Sequence, residues 1–87
     1  MTAEERLENA GYEGVVIFKD YSYDDALIGV SDDNRAIYDY EKMVDWLVNV
    51  HNFTYTEAME WIDYNTLRAI TYYGDDAPIV MYRVGNE

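Results

Sequence analysis

Three adjacent acid pairs, Asp24-Asp25, Asp32-Asp33 and Asp75-Asp76, are the residues of this sequence best suited to chemistry. Two or three converging carboxylates are enough for glycoside hydrolysis or for holding Mg²⁺. Adjacent acids in turns usually face solvent, which makes a carboxylate-dependent hydrolase the weakest of the readings. Asp32-x-Asn34 begins like a calcium loop, but Ala36 stands at the fifth position and Ile37 at the sixth, where glycine is required. Other chemistries lack parts. His51 is the single histidine, at the end of a predicted helix, where it meets terminal carbonyls and the dipole. Ser22 and Ser31 lie outside any Gly-x-Ser-x-Gly setting, there is no cysteine, and the five glycines form no phosphate-binding loop. The sequence therefore predicts no catalytic residue, no metal site and no cofactor.

Acid interleaved with tyrosine stands above this background. Tyr21, Tyr23, Asp24 and Asp25 share one loop; Tyr38, Asp39, Tyr40 and Glu41 straddle a strand-to-helix junction; Tyr72, Tyr73, Asp75 and Asp76 occupy another turn. Tyrosine gives large amphipathic contact area at low entropy cost, so binding surfaces are rich in it. The competing role is to fill the edges of a small core with the hydroxyls wet. On a helix from 55, at about 100° per residue, Glu57, Glu60, Trp61 and Tyr64 fall on the side away from Ala58 and Ile62. An outward Trp flanked by acids suggests a contact surface, unless Trp61 covers the N-terminal helix or a strand edge. The expected partner-binding residues are thus Tyr21, Tyr23, Asp24 and Asp25, then Glu57, Glu60, Trp61 and Tyr64, and finally Asp75 and Asp76.

Charge narrows the partner. Eighteen Asp and Glu against six Lys and Arg give a net charge of -12, with the basic residues scattered singly. Direct binding to nucleic acid or to anionic lipid is disfavoured, and a basic protein partner is favoured. A domain of this length is about 30 Å across, and duplex DNA of that length carries roughly 18 phosphates; the chain has 18 carboxylates. If many share one face, they imitate nucleic acid. No apolar run reaches the roughly 20 residues of a membrane span, and residues 1–10 are too polar for a signal peptide. A soluble cytoplasmic protein is the expectation.

A single domain must position these groups, since 87 residues supply one small core. Thr2 with Glu5 forms a capping box for a helix over about 3–10, which Gly11 ends. Residues 15–18 and 26–31 read as buried β-branched strands, and Asp32-Asp33-Asn34-Arg35 closes a hairpin to 35–38. Asp39 caps a helix over 40–51, whose apolar residues recur at helical spacing. Thr54 and Glu57 cap a second helix, with Tyr55, Ala58, Met59 and Ile62 on one face, running to about 73 with a break near Asp63-Thr66. Gly74 stops it, and 79–84 forms a last strand of central character. The predicted fold is α+β in the order αβββααβ: an antiparallel sheet of three or four strands with amphipathic helices on one face, burying Ile28, Val44, Leu47 and Ile62.

Three stretches carry a family resemblance: Tyr21-Ser22-Tyr23-Asp24-Asp25-Ala26-Leu27-Ile28-Gly29-Val30, Tyr38-Asp39-Tyr40-Glu41-Lys42-Met43 and Trp61-Ile62-Asp63-Tyr64-Asn65-Thr66-Leu67-Arg68-Ala69. They resemble a family of short acidic proteins encoded by bacteriophages and prophages, over about residues 20–82. That family has no settled activity, so no residue role is carried over; it often has a glycine where Asn34 stands and a proline near Thr71. The resemblance implies a phage product acting in the host cytoplasm. Small acidic phage proteins include inhibitors of CRISPR nucleases and restriction enzymes that act as DNA mimics. The leading expectation is a non-catalytic module that inhibits such a nucleic-acid-binding host protein. The alternative is a phage accessory or assembly protein that forms a homodimer or docks on a phage partner.

Overall fold

In the computed structural model, which describes residues 1–85, helix α1 (Ala3–Asn9) begins with the predicted capping box. The Glu5 amide donates to Thr2 Oγ1 at 3.1 Å, and the Thr2 amide donates to Glu5 Oε1 at 2.9 Å. Its other end is a Schellman turn: Gly11, at φ 86°, donates to the Glu8 carbonyl, and Tyr12 donates to that of Leu7.

Residues 15–18 belong to no strand, which corrects the expected first strand. Their β-branched side chains are half-buried, and Phe18 is buried with its ring on Tyr23, Tyr38 and Tyr73. β propensity reports fit to a half-buried surface, and here side chains rather than ladder bonds satisfy it. Tyr23 leads into a short 3₁₀ turn, Asp24–Ala26, and strand β1 (Leu27–Val30) follows. β1 and β2 (Ala36–Asp39) form the predicted antiparallel hairpin, closed by Asn34 in the left-handed region at φ 65°.

The third strand, β3 (Ile79–Met81), pairs with β2 in parallel, giving the order β1-β2-β3. The sheet is therefore mixed rather than antiparallel, and β3 lies at an edge rather than in the centre. The reason is topological: the chain leaves β2 into helices and returns by a crossover, which sets the two strands parallel. α+β architecture stands.

Helix α2 (Tyr40–His51) starts at Asp39, whose carboxylate accepts from the Glu41 and Lys42 amides at 3.0 and 3.3 Å, and it buries Met43, Val44, Trp46 and Leu47. Helix α3 (Tyr55–Trp61) has the second predicted capping box. Instead of breaking near Asp63, the chain widens into a π-helical turn over Ile62–Thr66, where the Leu67 amide donates to the Ile62 carbonyl. It then passes through α4 (Leu67–Ala69) and a 3₁₀ segment, Ile70–Asp76, kinked at Gly74 (φ 82°, ψ -157°). α2 packs on α3, on β2 and on the 3₁₀ turn before β1.

Val44, Leu47 and Ile62 are buried as expected, but Ile28 is 44% exposed. Leu27 pairs with Tyr38 and Gly29 with Ile37, so Ile28 is the extra residue of a bulge, which turns it out of the core. Tyr55 and Met59 are also exposed, and α3 buries Ala58 and half-buries Trp61 instead. Among the described residues no helix is long and apolar enough to cross a membrane.

Candidate functional site

The 21–25 loop divides between core and surface. Tyr23 is fully buried, which removes it from the expected contact surface. Its left-handed backbone (φ 48°) is uncommon for so bulky a side chain. Packing against Phe18, Tyr38 and Trp46, and a 2.6 Å hydrogen bond between its hydroxyl and that of Thr66, hold it there. Burial pushes the phenol up to about 12, the Thr66 bond opposing. Asp24 is half-buried and structural: Oδ1 accepts from the Ala3 amide at 2.7 Å and from the Ser22 hydroxyl at 2.7 Å. It satisfies an orphan donor at the start of α1. Tyr21 is half-buried, its ring meeting those of Trp46, His51, Phe53 and Trp61 at 4.6–6.2 Å. Of the four loop residues, Asp25 alone is free at the surface.

Trp61 does not stand outward. Its ring packs on Tyr21 (5.5 Å) and Phe53 (6.3 Å), and Nε1 is enclosed without a hydrogen bond of normal geometry, although close enough to the Tyr23 hydroxyl to help its ionisation. The π-helical turn places Ile62 and Thr66 on the core. Glu57, Glu60 and Tyr64 are exposed, with Asp63 among them. Arg68 lies over the Tyr64 ring at 4.8 Å, and the Tyr40 hydroxyl donates to Asp63 at 3.2 Å. Burial first, and then the Asp63 charge, push the Tyr40 phenol up to about 12.

The turn after α4 keeps its expected exposure. Asp75 and Asp76 face solvent and Tyr72 is 90% exposed, whereas Tyr73 turns inward and its hydroxyl accepts from the Lys19 amide at 3.1 Å. Tyr38 is fully buried. Asp39 holds Arg83 at 2.8 Å; burial opposes its charge, but Arg83 and the α2 amides outweigh that and hold the carboxyl below its ordinary value.

Every described carboxylate except Asp24 and Asp39 is exposed. Among the described residues the ion pairs are Asp33 with Arg35, and Arg83 with Asp39 and Glu41. No three His, Asp or Glu side chains converge there to hold a metal ion.

One surface was not legible in sequence. α1 is flanked by two cavities, one of about 570 Å³ against residues 12–17 and one of about 160 Å³ against β1, and Leu7 and Tyr12 line both. The Schellman turn brings Tyr12 beside Leu7, and the β1 bulge brings Ile28 to the surface. Gly11 signalled the turn, but nothing local marked the bulge. Comparison with protein families, with characterised proteins and with solved structures gives no match to this chain.

Proposed function

We propose that this protein is a non-catalytic acidic binding module that occupies the nucleic-acid groove of a basic partner. The observation that carries the reading is the exposure of nearly all its carboxylates with few internal cations to pair them. The molecule extends 34 × 28 × 26 Å, and duplex DNA of the longest dimension carries about 20 phosphates. Its 18 carboxylates approach that phosphate count, while its net charge of -12 is about 60% of the duplex's over the same length. In the phage setting that the resemblance implies, the partner is a host defence protein such as a CRISPR nuclease or a restriction enzyme. The anchoring aromatics are exposed ones, above all Tyr64 among Glu57, Glu60 and Asp63, since Tyr23 is core and Trp61 is packed inward.

The test is capture from host lysate with tagged protein, identification of the captured protein by mass spectrometry, and competition with that protein's own DNA or RNA. Mutual exclusion that weakens as salt rises supports the reading. Simultaneous binding of nucleic acid and this protein overturns it.

A further inference from the structure

We propose that the cavity between α1 and residues 12–17 receives one arginine of the basic partner, its methylene stem over Val15 and Ile17 and its guanidinium among Glu4, Glu8 and Glu13. The inference rests on the reading of the protein as a module for a basic partner, and it names the side chain that is taken.

This cavity measures about 570 Å³, inside the roughly 300–1,000 Å³ typical of ligand sites. Leu7, which is buried, and the half-buried Val15 and Ile17 give it apolar walls. Three carboxylates line the same space: Glu4 and Glu8 stand one helical turn apart on α1, and Glu13 follows the Schellman turn, its carbonyl accepting from Asn34 Nδ2 at 3.2 Å. All three are exposed, and none has an ion pair among the described residues. Arg6, the one cation of α1, lines the cavity on the other flank instead, where its guanidinium donates to the Asp24 carbonyl at 2.6 Å. Glu4 and Glu8 therefore repel each other with no resident cation to relieve them, and an incoming one displaces nothing.

These features select the occupant. A long cationic side chain lays its methylenes along apolar surface and keeps its charged head in water. Among the described residues no three acids converge to hold a metal ion, which disfavours a compact divalent cation; a wide planar guanidinium spans separated carboxylates better than an ammonium does. Tyr12, 44% exposed, adds an aromatic ring to the lining, and guanidinium stacks on such rings. The guanidinium fork matches carboxylate and phosphate alike, so an arginine that grips a nucleic-acid backbone finds equivalent acceptors here. An acidic or phosphorylated segment meets three carboxylates and is repelled, and a second copy of this chain brings a charge of -12 toward the same acids.

The experiment titrates the isotope-labelled protein with a blocked leucine-arginine-leucine tripeptide and follows amide resonances. Peptides with lysine or citrulline in place of the arginine are the comparisons, since citrulline keeps the shape and removes the charge. The expected result is a set of shifts gathered at Glu8, Tyr12, Gly14, Val15 and Ile17, with Ile28, Gly29 and Val30 on the other flank unmoved. The arginine peptide should bind about threefold more tightly than the lysine peptide and about tenfold or more above the citrulline one. Glu8→Gln with Glu13→Gln should weaken it about tenfold with circular dichroism unchanged, and Tyr12→Ala should erase the preference for arginine over lysine. No shift at millimolar peptide, equal binding by the lysine or citrulline peptide, or shifts spread evenly over the acidic surface, overturns the proposal. Shifts at the cavity that depend on protein concentration without peptide also overturn it, by making a second copy the occupant. If the Glu8→Gln, Glu13→Gln variant binds the captured partner undiminished and still excludes its nucleic acid, the cavity assignment fails while the module reading stands. If the arginine peptide seats in the cavity but the partner binds nucleic acid undisturbed, the cavity stands and the mimicry fails.

Discussion

The hydroxyls of Tyr23 and Thr66 meet at 2.6 Å inside the core, joining the loop before β1 to the π-helical turn. Each satisfies the other where water does not reach. Tyr23→Phe should therefore cost about 1 to 2 kcal/mol, because the Thr66 hydroxyl is left buried and unpaired. Thr66→Val should cost a similar amount, and the double variant less than the sum. Tyr23→Ala opens a cavity and should cost about 3 to 5 kcal/mol. Urea denaturation followed by circular dichroism measures all four; additive losses would show that the two hydroxyls act separately.

Alkali should unfold the protein through its buried phenols. Tyr23 and Tyr40 are each raised to about 12 by burial, and burial raises Tyr38 as well. In the unfolded chain tyrosine ionises near 10. Between about pH 10 and 12 the unfolded state releases protons that the folded state keeps, so stability present below pH 10 falls as pH rises. Melting temperature against pH, with phenolate absorbance as a second signal, should show the fall, and Tyr23→Phe should reduce its slope.

Acid should act with the opposite sign. Asp39 is held below its ordinary value, as are Glu5 and Glu57 by hydrogen bonds from Thr2 and Thr54. Their stabilisation is complete above the unfolded carboxyl values of about 4 and is lost as pH falls through the folded ones. Asp39→Asn keeps a good helix cap while removing the charge facing Arg83. The variant should melt lower at pH 7 and lose less than the native protein on acidification.

Salt should stabilise the fold. Exposed carboxylates outnumber their cationic partners, and screening reaches about 10 Å at 0.1 M. Melting temperature should rise between low salt and about 0.2 M. A flat response would mean that the charges lie too far apart to repel.

On α3 and the π-helical turn that follows it, charge and contact should separate. Glu57→Gln with Glu60→Gln should mainly slow association with the partner and flatten its salt dependence, whereas Tyr64→Ala should speed dissociation, costing about 2 kcal/mol. Surface plasmon resonance with the captured partner resolves the two rates.

Local signals were read well from sequence, because caps act over three or four residues. Thr2 with Glu5, Asp39, Thr54 with Glu57, Gly11 and Asn34 all sit where their chemistry predicts. Long-range choices were not legible. The π-helical turn shifts the facing of Thr66, the β1 bulge turns Ile28 outward, and the crossover into β3 makes its pairing parallel. The candidate site suffered most, since tyrosines of the same loop went to opposite environments: nothing in Tyr21-Ser22-Tyr23 says which ring a distant Thr66 will claim.

The parallel seating of β3 also orders events in time. The β1–β2 hairpin joins near neighbours and can close within about 1–10 μs, but β3 reaches β2 only after the intervening helices have brought its ends into place. Until then the edge of β2 that β3 will occupy lies open along Ile37, Tyr38 and Asp39, a template for any other chain. The interval before β3 docks is when a newly made molecule is most exposed to mispairing, and the chain's net charge of -12 keeps neighbouring copies apart during that wait.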